Sequence, residues 1–153
     1  MFSKYDVYTT VQSMYCYPDT DVLINKLNIH DKAELKQAEE EFTAVKQMAL
    51  LQEPIKGRFT KTHLFRIHRF LFEDVYPFAG HIRKEQISKG DTMFYPPDLI
   101  DLELERVFKN IHAKKLLAEQ DKEKQIQNLS QTMAELNIIH PFREGNGRSI
   151  REL

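Results

Sequence analysis

Four stretches of this chain place apolar side chains at steps of three and four, the spacing at which residues share one face of an α-helix. They are Leu35, Ala38, Phe42, Val45 and Ala49; Leu64, Ile67, Leu71 and Val75; Ile100, Leu104, Val107 and Ile111; and Ile126, Leu129, Met133 and Leu136. The pattern predicts an all-α, mainly helical fold. Boundaries are marked as well. Asp31 with Glu34 reads as a capping box for a helix reaching about Gln52, which Pro54 and Gly57 stop. Thr60 is a good N-cap for the second helix, which ends before Pro77, and Pro96-Pro97 suit the start of the third. The fourth runs from about Lys122. One more step of four past Leu136 continues its buried stripe to His140, and Pro141 then forces the chain out of the helix.

One segment has a different texture. Short extended runs flank a turn at Lys89-Gly90-Asp91-Thr92, which predicts a small β-hairpin over about 82–95. Its charged Arg83, Lys84 and Glu85 read as an edge protected against aggregation. Glu39-Glu40-Glu41 reads as a solvated helix face. The opening 5–26 is rich in tyrosine and turn formers, with Pro18 and Asp19 marking a turn. A length of 153 residues fits a single domain, 1–153, with one core.

Charge narrows the function. Lys and Arg number 22 against 23 Asp and Glu, a formal net charge of −1, which argues against a global attraction to nucleic acid or an anionic membrane. Any phosphate binding must be local. Cys16 stands alone and reads as a small buried hydrophobe. No run resembles a signal peptide or a membrane span, so a soluble, cytoplasmic protein is expected. His30, His63, His68, His81 and His112 read as surface or packing histidines rather than zinc ligands.

The chemistry concentrates in 140–151, His-Pro-Phe-Arg-Glu-Gly-Asn-Gly-Arg-Ser-Ile-Arg. Gly145 and Gly147 permit positive φ and leave backbone N–H groups uncovered, an anion-binding nest. A helix starting near Gly147 or Arg148 would aim its positive end at the same anion. Arg148 and Arg151, three apart, could both fork onto phosphate oxygens. Glu144 makes sense as a ligand for Mg²⁺, which is commonly held by one or two carboxylates plus substrate phosphates. His140 beside such a site can accept a proton from an attacking hydroxyl. Phe142 is expected to point inward and pin the loop. Ser149 is expected on the exposed side of the short helix.

These residues match, at every specified position, the Fic family signature His-x-Phe-x-Asp/Glu-Gly-Asn-Gly-Arg-x-x-Arg. The chain resembles that family elsewhere too, in Tyr17-Pro18-Asp19-Thr20-Asp21-Val22-Leu23, in Phe72-Glu73-Asp74-Val75-Tyr76-Pro77-Phe78-Ala79-Gly80 and in Phe94-Tyr95-Pro96-Pro97. The resemblance implies a helical Fic fold with a hairpin flap, transferring AMP from ATP onto a Ser, Thr or Tyr hydroxyl of a target protein, in the manner of a toxin or effector. It implies His140 as general base and Glu144 as Mg²⁺ ligand. Gly145, Asn146 and Gly147 would form the anion hole, with Arg148 on the β-phosphate and Arg151 on the γ-phosphate. The flap residues Ile87, Lys89, Gly90, Asp91, Thr92, Met93 and Phe94 would dock the target by strand addition. The related Doc kinases carry lysine at the position of Gly147, so its glycine favours nucleotidyl transfer. Transfer of another nucleotide or phosphate-containing group, or nucleotide binding by an impaired fragment, are the alternatives. The sequence stops at Leu153, two residues past Arg151, so a longer natural protein with further helices is expected. The family's inhibitory motif, Ser/Thr-x-x-x-Glu-Gly/Asn, is absent from the chain and is expected either on a further helix or on a separate antitoxin.

Overall fold

A computed structural model describes residues 12–153; the first part of the turn-rich opening, 5–11, lies outside the described residues. Five α-helices are described: α1 (Lys32–Gln52), α2 (Lys61–Phe72), α3 (Pro97–Ala113), α4 (Lys122–Ile139) and α5 (Asn146–Arg151). The caps are the expected ones. Asp31 accepts a hydrogen bond from the Glu34 amide at 2.9 Å, and Thr60 accepts one from the His63 amide at 3.3 Å.

α2 lies at the centre because it is apolar on two sides. Leu64 joins Ile100, Leu104, Val107, Ile111, Leu136 and Phe142 in one cluster. Ile67, Leu71 and Phe72 join Leu35, Leu50, Val75 and Tyr76 in the other. Each such fully buried side chain contributes roughly 1.5–3 kcal/mol. Cys16 is buried, in an antiparallel bridge with Leu23. No helix among the described residues is long and apolar enough to cross a membrane.

Four expectations need correction. On α1 the buried positions are Leu35, Glu39, Thr43 and Leu50, whereas Val45 is 71% exposed and Phe42 also faces outward. On α4 only Leu136 and Ile139 are buried, and Ile126 is 63% exposed. Periodicity reveals an apolar stripe but not which part of it is covered. The hairpin is shorter than expected: β1 (Ser88–Lys89) pairs antiparallel with β2 (Thr92–Met93), in register Ser88 to Met93 and Lys89 to Thr92. Arg83, expected at a charged edge, is 1% exposed.

Candidate active site

α4 ends at Ile139, and His140 caps it in the left-handed conformation, φ 52° and ψ 64°. Its imidazole stacks on Phe94 with 3.7 Å between centroids and 8° between planes. Nδ1 lies 3.1 Å from the Asn137 carbonyl oxygen. A carbonyl only accepts, so Nδ1 carries the proton and Nε2 keeps the lone pair of the neutral ring. Burial pushes the imidazole pKa down to about 4, with the positive charges of Arg83 and Lys89 acting in the same direction.

Beyond His140 the chain enters the core. Phe142 is fully buried and stacks on His68, ring centroids 3.7 Å apart. Asn146 locks the loop: its Oδ1 accepts from the Phe142 amide and its Nδ2 donates to the Phe142 carbonyl, both at 2.8 Å. The Asn146 side chain is thereby consumed, leaving its backbone N–H for any anion. Gly145 takes φ +80° and caps α5, which has no side-chain cap. The first-turn N–H groups of that helix therefore lack a side-chain acceptor. Gly147 does not have the positive φ expected of it; it sits within α5. Its lack of a side chain keeps the first turn open, since a Cβ would come 3.3 Å from an Arg151 guanidinium nitrogen. Ser149 is buried rather than exposed, its hydroxyl donating to the Gly145 carbonyl at 2.9 Å.

The charged groups are arranged around this turn. Glu144 Oε1 accepts from the Gly145 amide at 3.0 Å and lies 3.8 Å from Arg148 Nη2. Burial raises the Glu144 carboxyl pKa, and the nearby Glu39 charge adds to the rise. Arg148 ion-pairs with Glu39, bonds Thr43 Oγ1 at 3.2 Å and stands 4.8 Å over the Phe72 ring. The other Glu39 oxygen accepts the Tyr76 hydroxyl. Glu39 is 7% exposed, so the acidic run 39–41 is not wholly a solvated face. Arg151 is exposed at the end of α5. His140, Glu144, Gly147, Arg148, Arg151 and Phe94 all line one cavity of about 1140 Å³. Of the flap residues, Lys89, Gly90, Asp91, Thr92 and Met93 are exposed, while Ile87 and Phe94 are buried beneath them.

Local pattern reading missed Glu39, Thr43, Tyr76 and His68. The fully buried His68 donates from Nε2 to the Glu144 carbonyl at 2.9 Å and accepts the Gly80 amide on Nδ1 at 2.8 Å. It ties the acidic residue of the turn to α2. A signal for it was present: His68 falls one step of four after Leu64, inside an apolar stripe.

The Glu39 contacts give a first expected result. Glu39→Gln keeps the shape but removes the charge that pairs Arg148, and a charge-assisted bond is worth about 1.5–3 kcal/mol. The variant is expected to lose about 1–2 kcal/mol of stability, read from chemical denaturation, because the amide retains part of the bonding. Wild-type stability would show the pair to be incidental.

The turn Gly145 to Gly147 lines the cavity together with Arg148 and Arg151. Residues 58–153 match the sequence profile of the Fic/DOC family. A probable protein adenylyltransferase of Sinorhizobium fredii is 38% identical over 143 residues, which cover 93% of this chain and 73% of that protein. The probable protein adenylyltransferase Fic of Escherichia coli is 33% identical over 90% of this chain and 68% of its own length. The protein adenylyltransferase VbhT of Bartonella schoenbuchensis is 36% identical, but the chain spans only 29% of it. Among solved structures, BepC of Bartonella tribocorum with bound AMPPNP superposes with a TM-score of 0.80 at 26% identity, over 90% of this chain and 73% of that one. The chain belongs to the Fic/DOC family.

Proposed function

We propose that this protein transfers the AMP moiety of ATP onto a side-chain hydroxyl of a target protein. The observation that carries the reading is the tautomer of His140: with Nδ1–H spent on Asn137, the nitrogen holding the lone pair is Nε2, on a ring that lines the cavity. In this reading Nε2 accepts the proton of the target hydroxyl as its oxygen attacks the α-phosphorus, and the bond to the bridging oxygen breaks to release pyrophosphate. The amides of Asn146 and Gly147 receive phosphate oxygens, joined by that of Gly145 once Glu144 Oε1 releases it, with Arg148 and Arg151 as cationic partners. Support for the substrate comes from the named adenylyltransferase relatives and from the AMPPNP bound in BepC.

Mg²⁺ fits the residues present only as a partner of the nucleotide. Among the described residues no group of three or more His, Cys, Asp or Glu could hold a metal. Glu144 offers a single carboxylate, whose pKa is raised by burial and by the nearby Glu39 charge. Such a carboxylate would hold Mg²⁺ shared with phosphates, where the ion neutralises their charge. The exposed hairpin edge at Lys89–Met93 is where a target segment would add by backbone pairing. An inhibitory glutamate, from a further helix or a separate antitoxin, would act on the exposed Arg151. The cytoplasm, or that of a cell receiving the protein, is the compartment this reading favours.

Two measurements test it. Intact-mass analysis of a candidate lysate after exposure to the protein, Mg²⁺ and ATP is expected to show one protein gaining one AMP. No transfer from labelled ATP, GTP or UTP would defeat the reading. Second, a lowered His140 pKa is lost lone-pair availability only at acid pH. The acid limb of kcat/KM is therefore expected near pH 4, with the rate flat from about pH 5.5 to 7 as far as this group governs it. A limb at an ordinary histidine pKa near 6.5 would show that the ring is not desolvated as described.

A further inference from the structure

Arg83 is a buried guanidinium with no carboxylate among its hydrogen-bond partners in the described residues. Each of its bonds among the described residues goes to a main-chain carbonyl. Nε donates to His140 O at 2.7 Å, and Nη2 donates to Ile139 O at 3.2 Å. The Arg83 backbone N–H donates to Pro141 O at 2.9 Å. Three consecutive carbonyls, 139 to 141, are thus held by one residue. The remaining bonds run to the hairpin: Nη1 to Glu85 O at 2.7 Å, and Nη2 to Tyr95 O at 2.5 Å. Glu85 and Tyr95 stand at the two feet of the β1–β2 hairpin.

The placement follows from elementary electrostatics. The last carbonyls of α4 have no partner within the helix and carry its negative dipole end. A planar fork of five donors can satisfy several of them at once, which a lysine ammonium cannot do in the same geometry. Burial lowers the Arg83 pKa to about 10, so the group stays charged at neutral pH. The turn it holds needs holding. His140 is a non-glycine residue at φ 52°, directly before a proline, and both features disfavour its conformation. Tyr95 lies next to Phe94, whose ring stacks on the His140 imidazole.

We infer that Arg83 is a positioning residue that locks the His140 turn to both feet of the hairpin, so that base orientation and hairpin position are set together. The inference rests on the proposed role of His140 as base, but two of its three readouts do not depend on activity. In ¹⁵N-histidine-labelled protein, wild type is expected to show the Nδ1–H tautomer at His140. Arg83→Lys and Arg83→Met should give a mixture of tautomers. In transfer assays both variants are expected to lose at least tenfold in kcat, with KM for ATP changed less than about threefold. Hydrogen exchange on the wild-type protein guards against variants that do not fold. The amides bonded as Arg83 N–H to Pro141, Tyr95 N–H to Ile138 and Phe94 N–H to Ile87 are expected to open as one unit with matching protection. Independent opening of the hairpin and the His140 turn would overturn the coupling, as would folded variants with an unchanged tautomer and kcat. Should the tautomer and exchange results hold while His140→Ala retains transfer, the base assignment fails and the positioning role stands.

Discussion

His140→Ala is expected to lower transfer by at least about 100-fold, the lower end of what a positioned general base contributes. The substitution removes Nε2 and with it the lone pair that would receive the hydroxyl proton. It should not remove the nucleotide site, because the amides of α5 and the guanidinium groups of Arg148 and Arg151 stem from residues beyond the turn. Collateral damage is limited. The Asn137 residue that accepts the Nδ1 proton is exposed, so its carbonyl can turn to water, and alanine inherits the same left-handed backbone held by Arg83. Single-turnover assays with labelled ATP and a nucleotide-binding titration separate the two effects. The expected pair of results is transfer lost and nucleotide affinity within a few-fold of wild type. Retained transfer would remove His140 from the role of base, and parallel loss of both would place it in binding instead.

The parts legible in the sequence were those written in local pattern. Asp31 and Thr60 announce their helices because a cap needs only a side-chain oxygen two or three residues before the amide it serves. Ile100, Leu104, Val107 and Ile111 share one face and are all buried. The His140–Arg151 segment carries its glycines, acid and arginines within twelve positions, so the structure brings them to one cavity with little rearrangement. What stayed hidden depends on partners far along the chain. Glu39 looks like one of three solvated acids until Arg148, 109 residues later, folds against it. Arg83 looks like an edge charge until the end of α4 arrives 57 residues on to give it carbonyls. In each case the polar residue is buried because a distant opposite dipole or charge satisfies it, and hydropathy reads only the residue's own preference. The apolar run Ile126, Leu129 and Met133 fails in the opposite sense, being written as a core stripe and left exposed among the described residues.

Gly145→Ala is expected to be strongly damaging, and its damage is structural. Two independent terms act at this position. The backbone at φ +80° lies in the left-handed region, where an L side chain costs about 1–2 kcal/mol. A Cβ there would also lie 2.2 Å from the Phe72 ring, which is fully buried and itself stands under the Arg148 guanidinium. Neither the ring nor the backbone can move without disturbing the core, and overpacking of this kind costs about 1–3 kcal/mol. Together they predict a loss of about 2–5 kcal/mol, which for a chain of this size lowers Tm by roughly 4–20 °C. The control is Gly90→Ala at the hairpin tip. It shares the positive φ, +58°, but a Cβ there meets nothing within 4 Å, so only the backbone term of about 1–2 kcal/mol remains. Comparing the two melting temperatures isolates the contact with Phe72. If Gly145→Ala melts no lower than Gly90→Ala, the ring yields without cost and the turn is not packed as described. If it melts lower yet binds nucleotide as wild type does, the amides of α5 bind without the Gly145 turn, and the anion site belongs to the helix start alone.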